Sequence, residues 1–266
     1  MPFLEVPGAE LWYNDSGGAD TPVIFLHAAS GTCESWVHQV PAFTAAGYRC
    51  IAYDRRNWGR SRIICGPGSE ADQAGFVDDD LHGLVDRLGL DRFHLVATAA
   101  GGIGGLGYAL EHPERVRSLV VSNSIGGVQD AAYLEVQQRL RPPEIQNLPI
   151  ELRELGPSYR GTDPQGTERW IEIERSSRQD GVDGPGYGLG QPLRHPMSFA
   201  RLELMKVPVL FLVGGADLLS PPALMRLLSA PVPGSQIVTV PDAGHAAFWE
   251  RPEVWNGLVL EFLRQH

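Results

Sequence analysis

The sequence predicts a doubly wound α/β fold with a mostly parallel, eight-stranded sheet and an inserted helical cap. Three observations lead to this prediction. Short runs rich in β-branched and aromatic residues alternate with amphipathic stretches, as in sheets covered by helices. Several of these runs are apolar throughout, which is typical of parallel strands buried on both faces. The alternation stops near residue 125 and resumes near residue 206.

The predicted strands are short and bounded by turn residues. The chain opens with a hairpin of FLEV and ELWYND, in which Pro7 and Gly8 favour the connecting turn. The strands predicted after the hairpin are Thr21–Ala28, Tyr48–Asp54, Phe93–Ala97, Ser118–Ser124, Val207–Gly215 and Gln236–Val240. A helix is predicted over Glu34–Ala46, where apolar residues recur at helical spacing before Gly47.

The region of residues 125–205 lacks a convincing core strand. Three short helices are predicted there, followed by a Gly/Pro-rich stretch: Gln129–Leu140, Pro143–Leu155, Pro164–Gln179 and Gly181–Pro196. A long irregular insertion between two core strands is most often a cap over a site. We therefore predict a core of residues 1–124 and 206–266, and a helical cap of residues 125–205 that supplies apolar pocket walls.

Composition and charge exclude several classes of function. The 32 acidic and 22 basic residues give a net charge of −10, which would be repelled by nucleic acid and by anionic membranes. The three cysteines have no zinc spacing, and neither a signal peptide nor a membrane-length apolar run is visible. We expect a cytoplasmic protein with a small-molecule substrate, no metal, no organic cofactor, and no nucleic-acid or membrane partner. The sequence is also compatible with a homodimer.

Two motifs follow early strands, at the edge where parallel sheets place their sites. His27–Gly31 is a turn that can aim backbone N–H groups into a cavity. Ala97–Gly102, with the sequence ATAAGG, allows a very tight strand-to-helix turn because nearly all of its residues are small. Such a turn would project Ala99 on strained backbone and aim the N–H of Ala100 at a developing oxyanion.

Two further motifs follow late strands. Asp217 ends Val213–Asp217 and can reach a histidine ring, although it could instead cap the helix that follows. His245 ends Asp242–His245 and, beside a glycine, could be merely exposed. Its coincidence with the other three motifs favours a catalytic base.

In this order the four motifs resemble the α/β-hydrolase superfamily, in its cap-bearing esterase and carbon–carbon hydrolase branch. In that family the nucleophile turn reads Gly-x-Ser-x-Gly, the acid follows a late strand, and the histidine comes last. The resemblance implies Asp217 as the acid, His245 as the base, and the N–H groups of Ala29 and Ala100 as the oxyanion hole. It also implies hydrolysis of a small ester or lactone, and the same groups serve amide and carbon–carbon hydrolysis.

The sequence departs from the family pattern at two places. Asp54–Ser61 is similar to the family's Asp-x-x-Gly-x-Gly-x-Ser turn, but Asn57 replaces a glycine, a mild change because Asn tolerates left-handed backbone. In the nucleophile turn, the small residue Ala97 replaces the outer glycine, and the nucleophile position holds Ala99, whose methyl group cannot attack a carbonyl.

Three explanations for Ala99 remain open. The chain is an engineered nucleophile knockout, a natural enzyme in which His245 and Asp217 abstract a proton, or a binding module without chemistry. The presence of both residues argues against the binding module. The knockout is favoured, because serine to alanine is the smallest change that deletes the nucleophile.

Four further residues are expected to contact the substrate. His27 and Ser30 lie beside the first motif, and Tyr159 and Trp170 lie in the predicted cap. Aromatic residues in a cap either pack it onto the core or line the pocket, and the sequence does not separate these roles. Arg160, next to Tyr159, could meet a substrate carboxylate, although a solvated surface arginine is more common.

Overall fold

One sheet organises the chain, and the computed structural model describes residues 3–64, 75–177 and 192–266. The strands are β1 (Phe3–Val6), β2 (Ala9–Asp15), β3 (Thr21–Leu26), β4 (Tyr48–Tyr53), β5 (Arg62–Ile63), β6 (Phe93–Thr98), β7 (Val116–Ser122), β8 (Val209–Gly214) and β9 (Gln236–Val240). Their order is β1-β2-β4-β3-β6-β7-β8-β9, with β5 paired to β2. All pairs from β4 to β9 are parallel, so the predicted fold class is confirmed. The two-residue β5 is the one strand that the sequence did not predict.

The order of the central strands determines where a site can form. The chain passes from β3 to β4 on one side and then returns to place β6 on the other side of β3. At this switch point Leu26 of β3 pairs with Ala97 of β6, so the two strands end side by side. The turns that follow them meet at the carboxyl edge, the usual position of a ligand crevice in such sheets.

Helices cover both faces of the sheet. Outside the cap region they are α1 (Gln39–Ala45), α2 (Val77–Arg87), α3 (Ala100–Glu111), α9 (Pro222–Ser229), α10 (Ala247–Glu250) and α11 (Pro252–Arg264). The helix predicted over Glu34–Ala46 is instead a 3₁₀ turn, Cys33–Trp36, followed by α1. Starting α1 at Gln39 places Pro41 in its first turn, where the missing N–H removes no helical hydrogen bond.

The cap region contains mainly helices where the structure describes it. Its helices are α4 (Ala131–Leu140), α5 (Ile150–Glu154), α6 (Pro157–Thr162), α7 (Pro164–Ser177) and α8 (Phe199–Leu202). The helix predicted over Pro143–Leu155 is divided into a 3₁₀ turn, Pro143–Asn147, and α5, with Pro149 at the junction. Most of the Gly/Pro-rich stretch, and the end of the helix predicted over Pro164–Gln179, lie outside the described residues. The boundaries of the cap stay a prediction.

The core occupies both faces of the sheet. Along β3, Ile24 and Leu26 enter one buried cluster, and Val23 and Phe25 enter the other, as the alternation of side chains along a strand requires. Trp170 of the cap joins the second cluster. No helix among the described residues combines the length and apolar character that crossing a membrane demands.

The cap is anchored to the core by aromatic rings. The Trp170 ring lies 5.9 Å from Phe248 and 5.4 Å from Trp249, measured between ring centroids. Such pairs each contribute about 0.5–1.5 kcal/mol beyond the area that they bury. Both partners belong to α10, which begins two residues after His245. The packing of the cap therefore supports the loop that carries the predicted base.

Candidate active site

Ala99 lies in a strained turn between β6 and α3. Its φ of +49° and ψ of −117° are unusual for any residue with a side chain. Hydrogen bonds hold this turn: the Ala99 N–H donates to the Ser122 carbonyl at 2.9 Å, and the Ser124 hydroxyl donates to the Ala99 carbonyl at 2.6 Å. A Cβ at Gly101 would overlap the carbonyl of Leu26, so only glycine fits there. Ala99 itself is half-buried and open to the cavity.

The turn after β3 brings a second set of backbone groups to the same place. The Ala28 carbonyl accepts from His27 Nδ1 at 2.6 Å and from the Gly31 N–H at 3.2 Å. Because the peptide is trans, the Ala29 N–H points away from these two donors. The N–H of Ala100 belongs to the first residue of α3 and has no acceptor within the helix. Both alanines line the cavity beside Ala99.

Asp217 and His245 are in direct contact. Nδ1 of His245 lies 3.0 Å from both carboxylate oxygens of Asp217. Nε2, on the other side of the ring, is therefore the nitrogen available for proton transfer. His245 lines the same cavity as Ala99, and Asp217 lies buried behind it.

Asp217 also caps the turn that follows it. Its Oδ1 accepts from the N–H groups of Leu219 at 2.7 Å and Ser220 at 2.9 Å. Its Oδ2 accepts from the Ser220 hydroxyl at 2.6 Å and from Asn123 Nδ2 at 2.8 Å. Asp217 therefore both caps the following turn and binds His245, so the two interpretations of the sequence are both correct. The sequence did not predict Asn123, which directly follows β7, or Ser220 as partners of Asp217.

The electrostatics favour an ionised acid and a basic histidine. Burial alone would raise the pKa of Asp217, but the charge and hydrogen bond of His245, with those of Ser220 and Asn123, hold that pKa well below its ordinary value. Burial alone would lower the pKa of His245, but the charge and hydrogen bond of Asp217 outweigh it, and the pKa of His245 is raised.

The raised pKa makes a testable prediction for the chain as it stands. In an NMR titration His245 is expected to titrate above 6.5, and Asp217→Asn is expected to lower the midpoint because the carboxylate charge is removed. The stability from His245 protonation is present below its unfolded pKa and is lost as pH rises through the folded pKa. Asp242→Asn is the control, since Asp242 is an exposed carboxylate on the same loop. An unchanged midpoint in Asp217→Asn would contradict the assignment.

The cavity has a volume of about 240 Å³. Its wall contains residues of both turns, the base and the cap: Ala28, Ala29, Ser30, Ala99, Ala100, Ile103, Asn123, Ile125, Arg141, Gln146, Arg153, Glu154, Glu174, Leu219 and His245. The prediction that the cap supplies apolar pocket walls is wrong, because the cap contributes mostly charged and amide side chains. Among the described residues, no group of three or more His, Cys, Asp and Glu side chains could hold a metal ion.

Three residues predicted to contact the substrate do not line this cavity. His27 is buried: its Nδ1 donates to the Ala28 carbonyl and its Nε2 accepts from the Arg55 N–H at 2.9 Å, so it joins two turns. Burial and the charge of Arg55 hold the pKa of His27 well below its ordinary value. Trp170 is buried and donates to Glu154 at 3.2 Å. Tyr159 packs against the buried hydrophobic cluster that contains Phe25 and Trp170.

Arg160 has a structural role as well. Its guanidinium donates to the carbonyls of Leu155 and Glu151, next to the end of α5. The arginines that face the cavity are Arg141 and Arg153, which the sequence analysis did not single out. No local pattern marks them, because their proximity to His245 depends on how the cap folds over the sheet.

Comparison with known proteins agrees with this architecture. The family model described as alpha/beta hydrolase fold matches residues 21–252. A 2-hydroxy-6-oxononadienedioate/2-hydroxy-6-oxononatrienedioate hydrolase of Burkholderia vietnamiensis (strain G4 / LMG 22486) is 31% identical over 265 residues, covering 95% of this chain and 90% of its own.

Solved structures show the same likeness. A thermophilic esterase from Thermogutta terrifontis, with malate bound, superposes with a TM-score of 0.79 at 26% identity, covering 100% of this chain and 97% of its own. The enol-lactonase of Burkholderia xenovorans LB400 superposes with a TM-score of 0.78 at 23% identity, covering 99% of this chain and 100% of its own. The second comparison concerns the fold alone.

Proposed function

The chain belongs to the alpha/beta hydrolase fold family, and we propose that its site is that of a serine-type hydrolase of small carboxylic esters or lactones with alanine at the nucleophile position. One observation carries this proposal. Ala99 occupies a strained strand-to-helix turn, with φ of +49°, on the wall of the cavity that His245 also lines. A residue other than glycine is held in such a conformation only when the surrounding structure enforces it. The turn is thus built to present a side chain to the base.

With a serine hydroxyl at position 99 the site has each group that ester hydrolysis requires. The hydroxyl oxygen would attack the carbonyl carbon while His245 Nε2 takes its proton, and the N–H groups of Ala29 and Ala100 would stabilise the oxyanion. His245 would then protonate the leaving alcohol, and water would release the acid by the same steps. The chain as it stands has no hydroxyl there and forms no acyl-enzyme, so we propose that it binds the substrate without covalent turnover.

The charge of the cavity indicates the substrate class. Arg141 lies in the cavity wall, and no described side chain forms an ion pair or hydrogen bond with its guanidinium. Burial disfavours its charge and lowers its pKa, whereas Asp217 nearby partly offsets this. A partly buried guanidinium whose Nε has no acceptor among the described residues is suited to bind an anionic group of a ligand. We propose a substrate that carries a carboxylate besides the bond to be cleaved.

The relatives support an acidic substrate. The name of the Burkholderia vietnamiensis enzyme is that of a hydrolase of dicarboxylates. The Thermogutta terrifontis esterase was solved with malate, also a dicarboxylate. Both are consistent with a cation in the cavity of this chain.

The role of Arg141 can be tested in an Ala99→Ser background. We expect Arg141→Gln to lower kcat/KM for a carboxylate-bearing ester by roughly 10- to 100-fold, the range for one charged hydrogen bond of about 1.5–3 kcal/mol. For neutral esters of the same acyl length, the same substitution should lower kcat/KM much less. Arg139→Gln is the matched control, because Arg139 is an exposed arginine in the last turn of α4, and Arg141 directly follows that helix. Equal losses for charged and neutral esters would contradict the proposed substrate class.

Carbon–carbon bond hydrolysis is a second candidate, favoured by the 31% identity to a 2-hydroxy-6-oxononadienedioate hydrolase, because the compound in that name contains neither an ester nor a lactone bond. It uses the same base and oxyanion donors and therefore also depends on position 99. Incubating the Ala99→Ser variant with 2-hydroxy-6-oxononadienedioate distinguishes the two candidates. Cleavage of this compound in preference to esters would favour the carbon–carbon hydrolase.

A further inference from the structure

Glu154 is a buried carboxyl group in the wall of the cavity. It is the last residue of α5, and only 4% of its surface is exposed. No step of the proposed hydrolysis uses it. A charge buried so completely is expensive unless it is hydrogen-bonded, so its contacts show which parts of the molecule depend on it.

The side chain of Glu154 joins two distant parts of the chain. Its Oε2 accepts from the Ser30 hydroxyl at 2.9 Å and from Trp170 Nε1 at 3.2 Å. Ser30 follows Ala29, whose N–H is a proposed oxyanion donor. Trp170 is the cap residue that packs on the aromatic rings of α10. One oxygen atom thus links the cap to the turn after β3.

The backbone of Glu154 reaches the histidine loop. Its carbonyl accepts from the N–H groups of His245 at 2.7 Å and Ala246 at 3.1 Å. The two segments approach so closely that a Cβ at Gly244 would overlap the Glu154 carbonyl and the nitrogen of Gly156. The carbonyl fixes the backbone of the predicted base directly.

We propose that Glu154 is a positioning residue of the active site, which fastens the cap to both the oxyanion turn and the histidine loop. This inference rests on the proposed function, because it assigns His245 and the Ala29 N–H their roles. It follows from the convergence of four hydrogen bonds on one cap residue, two through its side chain and two through its carbonyl.

The charge of Glu154 also acts on His245. The ionisable groups around the imidazole are Asp217 after β8, Glu154 of α5, Arg141 after α4 and Glu250 of α10. Burial lowers the pKa of His245. Among the neighbouring groups, Asp217 raises this pKa most, Glu154 raises it further, and Arg141 lowers it. Burial raises the pKa of Glu154, whereas the charge of His245, that of Arg153 at 3.7 Å from Oε1, and the two donors on Oε2 oppose this rise.

Two variants of the chain as it stands separate hydrogen bonding from charge. Glu154→Gln keeps an amide oxygen for Ser30 and Trp170 but removes the charge. We expect an NMR titration of this variant to place the His245 midpoint at lower pH than in the parent chain, with the Trp170 indole resonance unchanged. Glu154→Leu removes both the charge and the hydrogen-bond acceptor. For this variant we expect shifted amide resonances at Ser30 and His245 and faster exchange of the Trp170 indole proton.

Glu151→Gln is the matched control, because Glu151 is only half-buried on the same helix and is absent from the cavity wall. A His245 midpoint in Glu154→Gln that equals the parent and control values would overturn the proposal. Unshifted Ser30 and His245 resonances in a folded Glu154→Leu variant would also overturn it. If the leucine variant fails to fold, the glutamine variant still decides.

Kinetics in an Ala99→Ser background provide a second readout. We expect Glu154→Leu to lower kcat by about 10- to 100-fold with a smaller change in KM, as for a misplacement of reacting groups by about 1 Å. Glu154→Gln should keep the plateau kcat and move the acid limb of the pH profile to lower pH. An Ala99→Ser variant without any turnover would count against the proposed function, whereas the titrations would still test Glu154. If the Ala99→Ser enzyme is active and Glu154→Leu leaves its kcat unchanged, the positioning role is overturned and the proposed function stands.

Discussion

Replacing Ala99 by serine is expected to give an esterase whose kcat exceeds that of the parent chain by several orders of magnitude. Removal of the nucleophile from a serine hydrolase costs on the order of 10⁶ in kcat, and the reverse change should recover much of it. The turn between β6 and α3 already has its strained backbone, and Ala99 is the half-buried residue of that turn that faces the cavity. A hydroxyl should therefore fit without repacking. The measurement is hydrolysis of short-chain, aromatic and carboxylate-bearing esters and lactones.

A hydroxyl elsewhere in the cavity should have no such effect. Ala29→Ser is the control, since Ala29 lines the same cavity from the turn after β3. A folded Ala99→Ser variant without turnover on the whole panel would count against the hydrolase, and unchanged ligand binding would then favour a binding module. Turnover by the parent chain that is lost in His245→Ala would instead favour the proton-abstracting enzyme.

In the Ala99→Ser background, Asp217→Asn is expected to lower kcat by about 10⁴, as the loss of the orienting carboxylate does in serine proteases. Asp217 holds His245 through Nδ1 at 3.0 Å and stabilises the imidazolium that forms during attack. Asparagine can retain the hydrogen bonds from the Leu219 and Ser220 N–H groups, so the turn should survive. The loss should therefore appear in kcat and leave the fold intact.

Asp242→Asn is the matched control for this loss. It makes the same chemical change on an exposed residue of the histidine loop, and asparagine tolerates the positive φ of 58° there. We expect its kcat to equal that of Ala99→Ser alone. Equal activities of the two asparagine variants would show that Asp217 is not the acid.

The strands and the turn at Ala99 could be predicted because their signals are local. VIFLHA and FHLVA are apolar runs, and the small residues around Ala99 allow a tight turn. Asn57, which stands where the family's turn has a glycine, has a left-handed backbone that asparagine tolerates, with φ of +67°. Parallel strands bring separate turns together at one edge, and the resemblance to the α/β-hydrolase superfamily then implied Asp217 as the partner of His245.

The walls of the site could not be predicted because they arise from tertiary contacts. Arg141, Arg153 and Glu154 read as ordinary surface charges of amphipathic helices, and only the seating of the cap turns them toward the cavity. Trp170 failed as a substrate contact for the same reason: its role is to pack on α10. Aromatic side chains carry no local signal that distinguishes packing a cap from lining its pocket.

Active-site labelling tests the central claim most directly, namely that this site lacks only a hydroxyl at position 99. A fluorophosphonate forms a covalent bond with a serine oxygen that a histidine base has activated, with loss of fluoride. Peptide mapping by mass spectrometry should place the adduct at position 99 of the Ala99→Ser variant, and His245→Ala in the same background should prevent it. The parent chain should stay unlabelled. Absence of an adduct in folded Ala99→Ser protein, or an adduct at Ser30 instead, would contradict the account.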